Sequence, residues 1–153
     1  MLSRGSERAS RGTSSSQGEE WQRAVDALFR DVNAIDAGLS RRVPSIDVEG
    51  EDATSGTWSI TWSQPGGEVV KRREAWNGGC CSAAQIKDYY YRKGTLIQRV
   101  MWIAPHDEMP RLAKGLDPKN RVKVAYDEYD NTGRLLRTFV DSLLIGKASE
   151  PLF

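Results

Sequence analysis

TWSITWSQPGGEVV (residues 57–70), YYYRKGTLIQRV (89–100) and DEYDNTGRLLRTFV (127–140) decide the reading of this chain. Each runs from an aromatic residue (Trp62, Tyr91, Tyr129) through a short polar turn to a glycine (Gly67, Gly94, Gly133) and then into aliphatic residues. Aromatic and β-branched side chains suit a pleated surface, and glycine supplies the positive φ of tight or bulged turns, so each segment predicts a β-hairpin. Three hairpins predict six strands, over 57–63, 68–76, 85–91, 96–104, 121–129 and 135–143.

Alternation assigns faces to these strands. Trp58, Ile60 and Trp62 point one way; Leu96, Val100 and Trp102 share a face, as do Val122, Val124 and Tyr126. The strand at 68–76 carries Lys71, Arg72 and Arg73, which predicts an edge strand or one with a wet face. Upstream, Trp21, Val25, Leu28, Val32, Ile35 and Leu39 recur at spacings of three and four, the stripe of an amphipathic helix. Ser16 with Glu19 has the capping-box pattern at its start, and Gly38 with Arg41 and Arg42 suits its end. The expected fold is α+β, with this helix laid on one face of a curved antiparallel sheet of about six strands. After Pro44, the acidic segment IDVEGEDATSG reads as a connector or an edge strand.

Residues 1–17 hold Ser, Gly and three arginines with little to bury, and predict a disordered basic tail. Residues 18–153 form one domain. The 22 basic and 21 acidic side chains nearly cancel, to a formal net charge of +1, so no global field draws the chain to nucleic acid or an anionic membrane. No apolar run approaches the roughly 20 residues of a membrane span, and the first residues lack the apolar stretch of a secretory signal, which predicts a cytoplasmic protein. Cys80 and Cys81 are adjacent and imply no disulfide framework.

Catalytic signals are sparse. His106 is the one histidine, too few for a multi-histidine metal site, and its loop APHDEMP matches no catalytic spacing. The thiols of Cys80 and Cys81 have no cationic activator beside them in sequence. Asp47, Glu49, Glu51 and Asp52 lack the spacing of a calcium loop. No phosphate-binding loop or dinucleotide fingerprint is present, so no catalytic residue, metal or cofactor is assigned. What remains is the sheet face that the helix leaves open, for which Tyr89, Tyr91, Arg99, Met101, Lys123 and Asp127 are the candidates. Tyr, Arg and Met are enriched where proteins bind proteins. The same aromatic and basic types build platforms for single-stranded nucleic acid, but the near-neutral charge and the lack of an RNP-type motif argue against that use.

The segments AQIKDYYYRKGTLIQRVMWI (84–103) and VKVAYDEYDNTGRLLRTFVDS (122–142) resemble the tyrosine-rich hairpins of small bacterial β-meander proteins, among them immunity proteins of interbacterial toxin systems and related envelope proteins. The resemblance implies a non-enzymatic binding protein whose partner is another protein, such as a toxin or effector. The reading of the residues themselves leaves a second option, a pocket between helix and sheet that binds a small ligand or performs acid/base chemistry with Asp88, Asp127 or Tyr126. An exposed edge strand would also allow a homodimer.

Overall fold

A computed structural model describes residues 2–49, 56–77 and 83–141. Its three central turns are the ones the glycines predict. Gly67 N–H donates to Gln64 O at 2.8 Å and Gln64 N–H to Glu68 O at 2.7 Å; Gly133 N–H donates to Asp130 O at 3.0 Å and Asp130 N–H to Arg134 O at 2.8 Å. These are the same three-residue loop, closed in each case by glycine at φ +90° or +87°. Between them, Lys93 and Gly94 both take positive φ in a two-residue turn, the geometry whose twist matches that of the flanking strands.

The hairpins join into one antiparallel meander: β1 (Ser45–Glu49), β2 (Thr57–Ser63), β3 (Val69–Asn77), β4 (Ala84–Arg92), β5 (Thr95–Ala104), β6 (Val122–Tyr129) and β7 (Leu135–Val140), paired in sequence order. There are seven strands, not six. The added one is the acidic segment after Pro44, which pairs with β2 through Ile46↔Ile60 and Val48↔Trp58 and forms one edge.

The helix α1 (Leu2–Gly38) crosses the sheet. Its stripe from Trp21 to Leu39 spans about 27 Å at 1.5 Å per residue, and seven strands set about 4.8 Å apart span about 29 Å. The stripe is therefore as long as the sheet is wide. At the β7 edge Trp21 Nε1 donates to Leu136 O at 2.9 Å. In the middle Leu28 and Val32 pack on Tyr90 and Ile97, and at the far end Ile35 and Leu39 pack on Ile60, Trp62 and Val70. The helix starts at Leu2, well before the Ser16–Glu19 cap and through the segment predicted to be a disordered tail. Residues 2–17 contain no proline, and once docking on the sheet has nucleated the helix, each further residue adds a hydrogen bond at small cost. Beside α1, the short α2 (Met109–Leu112) covers the same face, with Met109 and Leu112 closing a cluster of Trp58, Ala75, Ala84 and Ile86.

Two face assignments change at β-bulges, which periodicity cannot foresee. The register shift at Tyr90/Tyr91 pairs Tyr91 with Leu96 and Tyr90 with Gln98, so that Ile97, not Leu96, meets the helix. The shift at Met101/Trp102 sends Val124 into a cluster with Met101, Ala125 and Ile103, away from the face of Tyr126. A third reading holds only in part: β3 is not an edge, and its wet face carries Arg72 and Glu74 but not Lys71 and Arg73. It lies between β2 and β4, and Lys71 and Arg73 are 1% and 0% exposed beneath the helices. No helix among the described residues is long and apolar enough to cross a membrane.

Candidate functional site

The two faces of the sheet carry charge in different ways. On the helix-covered face, cross-strand pairing lines up Ile60, Arg73, Asp88 and Val100 in one row and Trp62, Lys71, Tyr90 and Gln98 in the next. Arg73 meets Asp88 through two bonds, Nε to Oδ1 at 2.7 Å and Nη2 to Oδ2 at 3.1 Å, and reaches Asp117 at 2.8 Å. Lys71 Nζ donates to Asp36 Oδ1 of α1 at 2.9 Å, lies 3.9 Å from Asp88 and sits 4.6 Å from the centre of the Tyr90 ring. Tyr90 O–H also donates to Asp36. Burial by itself would push the Asp88 carboxyl up, but the Arg73 and Lys71 charges outweigh it and hold Asp88 below the usual carboxylate range. Asp117 is lowered in the same way, burial being overcome by Arg73. The Tyr90 phenol is raised by burial and by the Asp88 and Asp36 charges, which keeps it a neutral donor.

This cluster ties three elements together: Asp36 from α1 and Asp117 from the loop after α2 both hold cations that project from β3. A lysine and an arginine in a core are tolerable only with such partners. Asp36, Trp62 and Asp117 also line a recess of about 320 Å³ between the end of α1 and the loop after α2. Asp88 binds Arg73 with both oxygens, and Trp58 and Trp62 are 8% and 3% exposed within packed clusters. Of the other acid/base candidates, Tyr126 stacks on Phe139 at 5.3 Å between centroids and Asp127 pairs with Arg99.

The opposite face is where four of the six predicted binding residues meet. Register places Thr61, Arg72, Tyr89, Arg99, Asp127 and Thr138 in one row across six strands. Arg72 lies over the Tyr89 ring at 5.0 Å and pairs with Glu74 at 3.0 Å, Arg99 pairs with Asp127, and Thr138 Oγ1 donates to Asp127 Oδ1 at 2.6 Å. Burial and the neighbouring Glu74 raise the Tyr89 phenol, so it stays protonated. Tyr91 joins the row at its hairpin end, lining a shallow depression with Val69 and Arg72. Among the described residues both helices lie on the other side of the sheet, and this row faces away from them.

The remaining two candidates are not part of the row. Met101 is on this side but wholly buried against Val124 and Ala125. Lys123 is paired with Trp102 and belongs to the helix side, where its Nζ lies 5.2 Å from the Trp102 ring and 5.4 Å from the Tyr126 ring. Strict alternation mis-assigns it because the bulge opposite Met101/Trp102 leaves Val124 unpaired between Ala125 and Lys123. Sequence reading overlooked Arg72 and Glu74, although both alternate correctly with the buried Lys71 and Arg73. Cys80 and Cys81 lie outside the described residues, as do Glu51 and Asp52 of the acidic segment. His106 is half-buried in the 3₁₀ turn His106–Glu108. No group of acidic, histidine or cysteine side chains suited to a metal ion occurs among the described residues. Comparison of the chain with protein-family models, curated proteins and solved structures finds no match.

Proposed function

We propose that the protein is a non-enzymatic binding module that engages another protein through the sheet face turned away from α1. The observation that carries this reading is the cross-strand row Arg72–Tyr89–Arg99–Asp127, which sets planar, half-buried side chains on a rigid sheet. Tyr and Arg dominate the binding energy of protein interfaces because they offer large contact area and fixed donors. Here Arg99 and Arg72 are already oriented by Asp127 and Glu74, so less side-chain entropy is lost on association. The pairing of Asp88 with Arg73 and of Asp127 with Arg99 weighs for this reading over an acid/base site built on those carboxylates. The hairpin resemblance to immunity proteins points to a toxin as the class of partner, met in the cytoplasm.

The test is affinity capture from a native lysate with the full chain, run in parallel with Tyr89→Ala/Arg99→Ala and with Lys123→Ala on the opposite face. A partner held stoichiometrically by the wild type and by Lys123→Ala, and released by the double variant, supports the proposal. Absence of any stoichiometric protein, or one that the double variant retains, overturns it.

A further inference from the structure

Among the described residues the sheet ends in two open edges, β1 and β7, and the two are built differently. β1 turns Asp47 and Glu49 to one face, so a second copy paired there would set carboxylates against carboxylates, a common way for an edge strand to guard itself. β7 has no such guard. Phe139 and Val140 are 39% and 51% exposed and lie on opposite faces of the sheet, Phe139 stacked on Tyr126 and Val140 beside Ala125. The one charge within β7, Arg137, donates to Glu128 and lies over the Phe29 and Tyr126 rings at 5.1 and 5.4 Å. Asp141 N–H donates to Val124 O at 2.7 Å, so by alternation Arg137, Phe139 and Asp141 turn their main-chain groups toward β6, and Thr138 and Val140 turn theirs to the open side. Leu136 O also points to the open side, where Trp21 Nε1 closes it. The stretch left open is Thr138 to Val140, with Phe139 at its middle.

A two-fold axis through Phe139 makes this stretch complementary to itself. Thr138 of one copy then exchanges both main-chain bonds with Val140 of the other, and Phe139 meets Phe139 in the closer, non-hydrogen-bonded kind of pair. Arg137 stands opposite Asp141 of the second copy on the same face, so opposite charges meet twice across the axis. The neighbouring registers lose this match. An axis through Arg137 sets arginine against arginine and needs the Leu136 carbonyl that Trp21 holds, and an axis through Asp141 sets carboxylate against carboxylate. From Trp21 back to Leu2, α1 runs on past this edge for about 28 Å, in the layer over the sheet and not in its plane, so a second sheet can continue beneath it. We infer that the chain forms a two-fold homodimer in which β7 pairs antiparallel with β7 of a second copy about Phe139, joining the two sheets edge to edge. The contact uses neither Tyr89 nor Arg99, and the inference stands or falls independently of the protein-binding reading.

The experiment is sedimentation velocity on the full chain from low micromolar to near-millimolar concentration, with the variants Val140→Pro and Asp141→Lys. The expected result is a monomer–dimer equilibrium that goes no further than the dimer. Val140→Pro removes a donor that the pairing needs and the monomer's own ladder does not use, so it should keep the wild-type circular dichroism and raise the dimer dissociation constant at least tenfold, the loss of a hydrogen bond in each copy. Asp141→Lys should raise it by less. The register is read separately in a Cys80→Ser/Cys81→Ser background: on mild oxidation Phe139→Cys should form a covalent dimer, since two residues facing across the axis lie within disulfide reach, and Leu135→Cys, exposed on the same strand, should not. A chain that stays monomeric throughout, one that assembles beyond the dimer, a Val140→Pro variant that dimerises as the wild type does, or equal cross-linking at the two cysteine positions overturns the inference.

Discussion

Replacing Asp88 by Asn tests the account of the buried charges most directly. The change is isosteric but removes the one carboxylate that lies fully within the core beside two fully buried cations. Arg73 would exchange two charge-assisted bonds for one acceptor and one opposed NH₂ group. It would keep Asp117, whose side chain is 59% exposed and so is screened by water, and Lys71 would keep Asp36, 45% exposed. Breaking one partner of a buried pair costs about 3–5 kcal/mol, and the two surviving carboxylates place this case at the lower end, about 3 kcal/mol. For a domain of this size that lowers Tm by roughly 6–12 °C. Urea unfolding followed by far-UV circular dichroism gives the value. The double variant Arg73→Met/Asp88→Leu removes both charges with apolar groups of similar volume and should lie within about 1 kcal/mol of the wild type or above it. A loss below about 1 kcal/mol for Asp88→Asn, or a double variant as unstable as the single, would refute the reasoning.

The same cluster sets the response to acid. Asp88 and Asp117 both have folded pKa values below their ordinary 3.8, so the folded state binds fewer protons than the unfolded state as pH falls past that value. Stability from these groups is complete above about pH 5 and is lost progressively below it; a urea midpoint that stays level down to pH 3 would contradict this, and Asp88→Asn should show a shallower acid limb. Met101→Ala should cost about 2–5 kcal/mol in chemical denaturation, because the side chain is 0% exposed and the strands around it cannot collapse onto the space. If Met101 instead behaved as a surface residue, the variant would unfold like the wild type. Gly115→Ala should be destabilising by about 1–2 kcal/mol, since φ is +77° and a Cβ there would meet Pro44 Cγ at 3.2 Å; an unchanged thermal midpoint would show that the loop after α2 adapts freely.

How far the sequence reached can be followed residue by residue. The turn glycines Gly67, Gly94 and Gly133, the six hairpin strands to within a residue or three, and the stripe Val25–Leu28–Val32 on the helix are local properties: a positive φ, a period of two, a period of three to four. Local chemistry decides them, so they are legible without any knowledge of contacts. Of the binding candidates, Tyr89, Tyr91, Arg99 and Asp127 were placed correctly on the outward face because their strands keep strict alternation up to the bulges. Lys123 changes face because β6 holds a single extra residue opposite Met101/Trp102, whereas Met101 keeps the outward side and is buried there against Val124 and Ala125.

What only the tertiary structure decided is where charge is buried. Lys71 and Arg73 look like the solvated face of an edge strand until Asp88, 15 residues on, Asp36 on the helix and Asp117 on a distant loop are brought within 4 Å of them. Periodicity records what one residue does to its near neighbours along the chain, whereas burial and charge pairing depend on residues that are neighbours only after the sheet has closed beneath its helix.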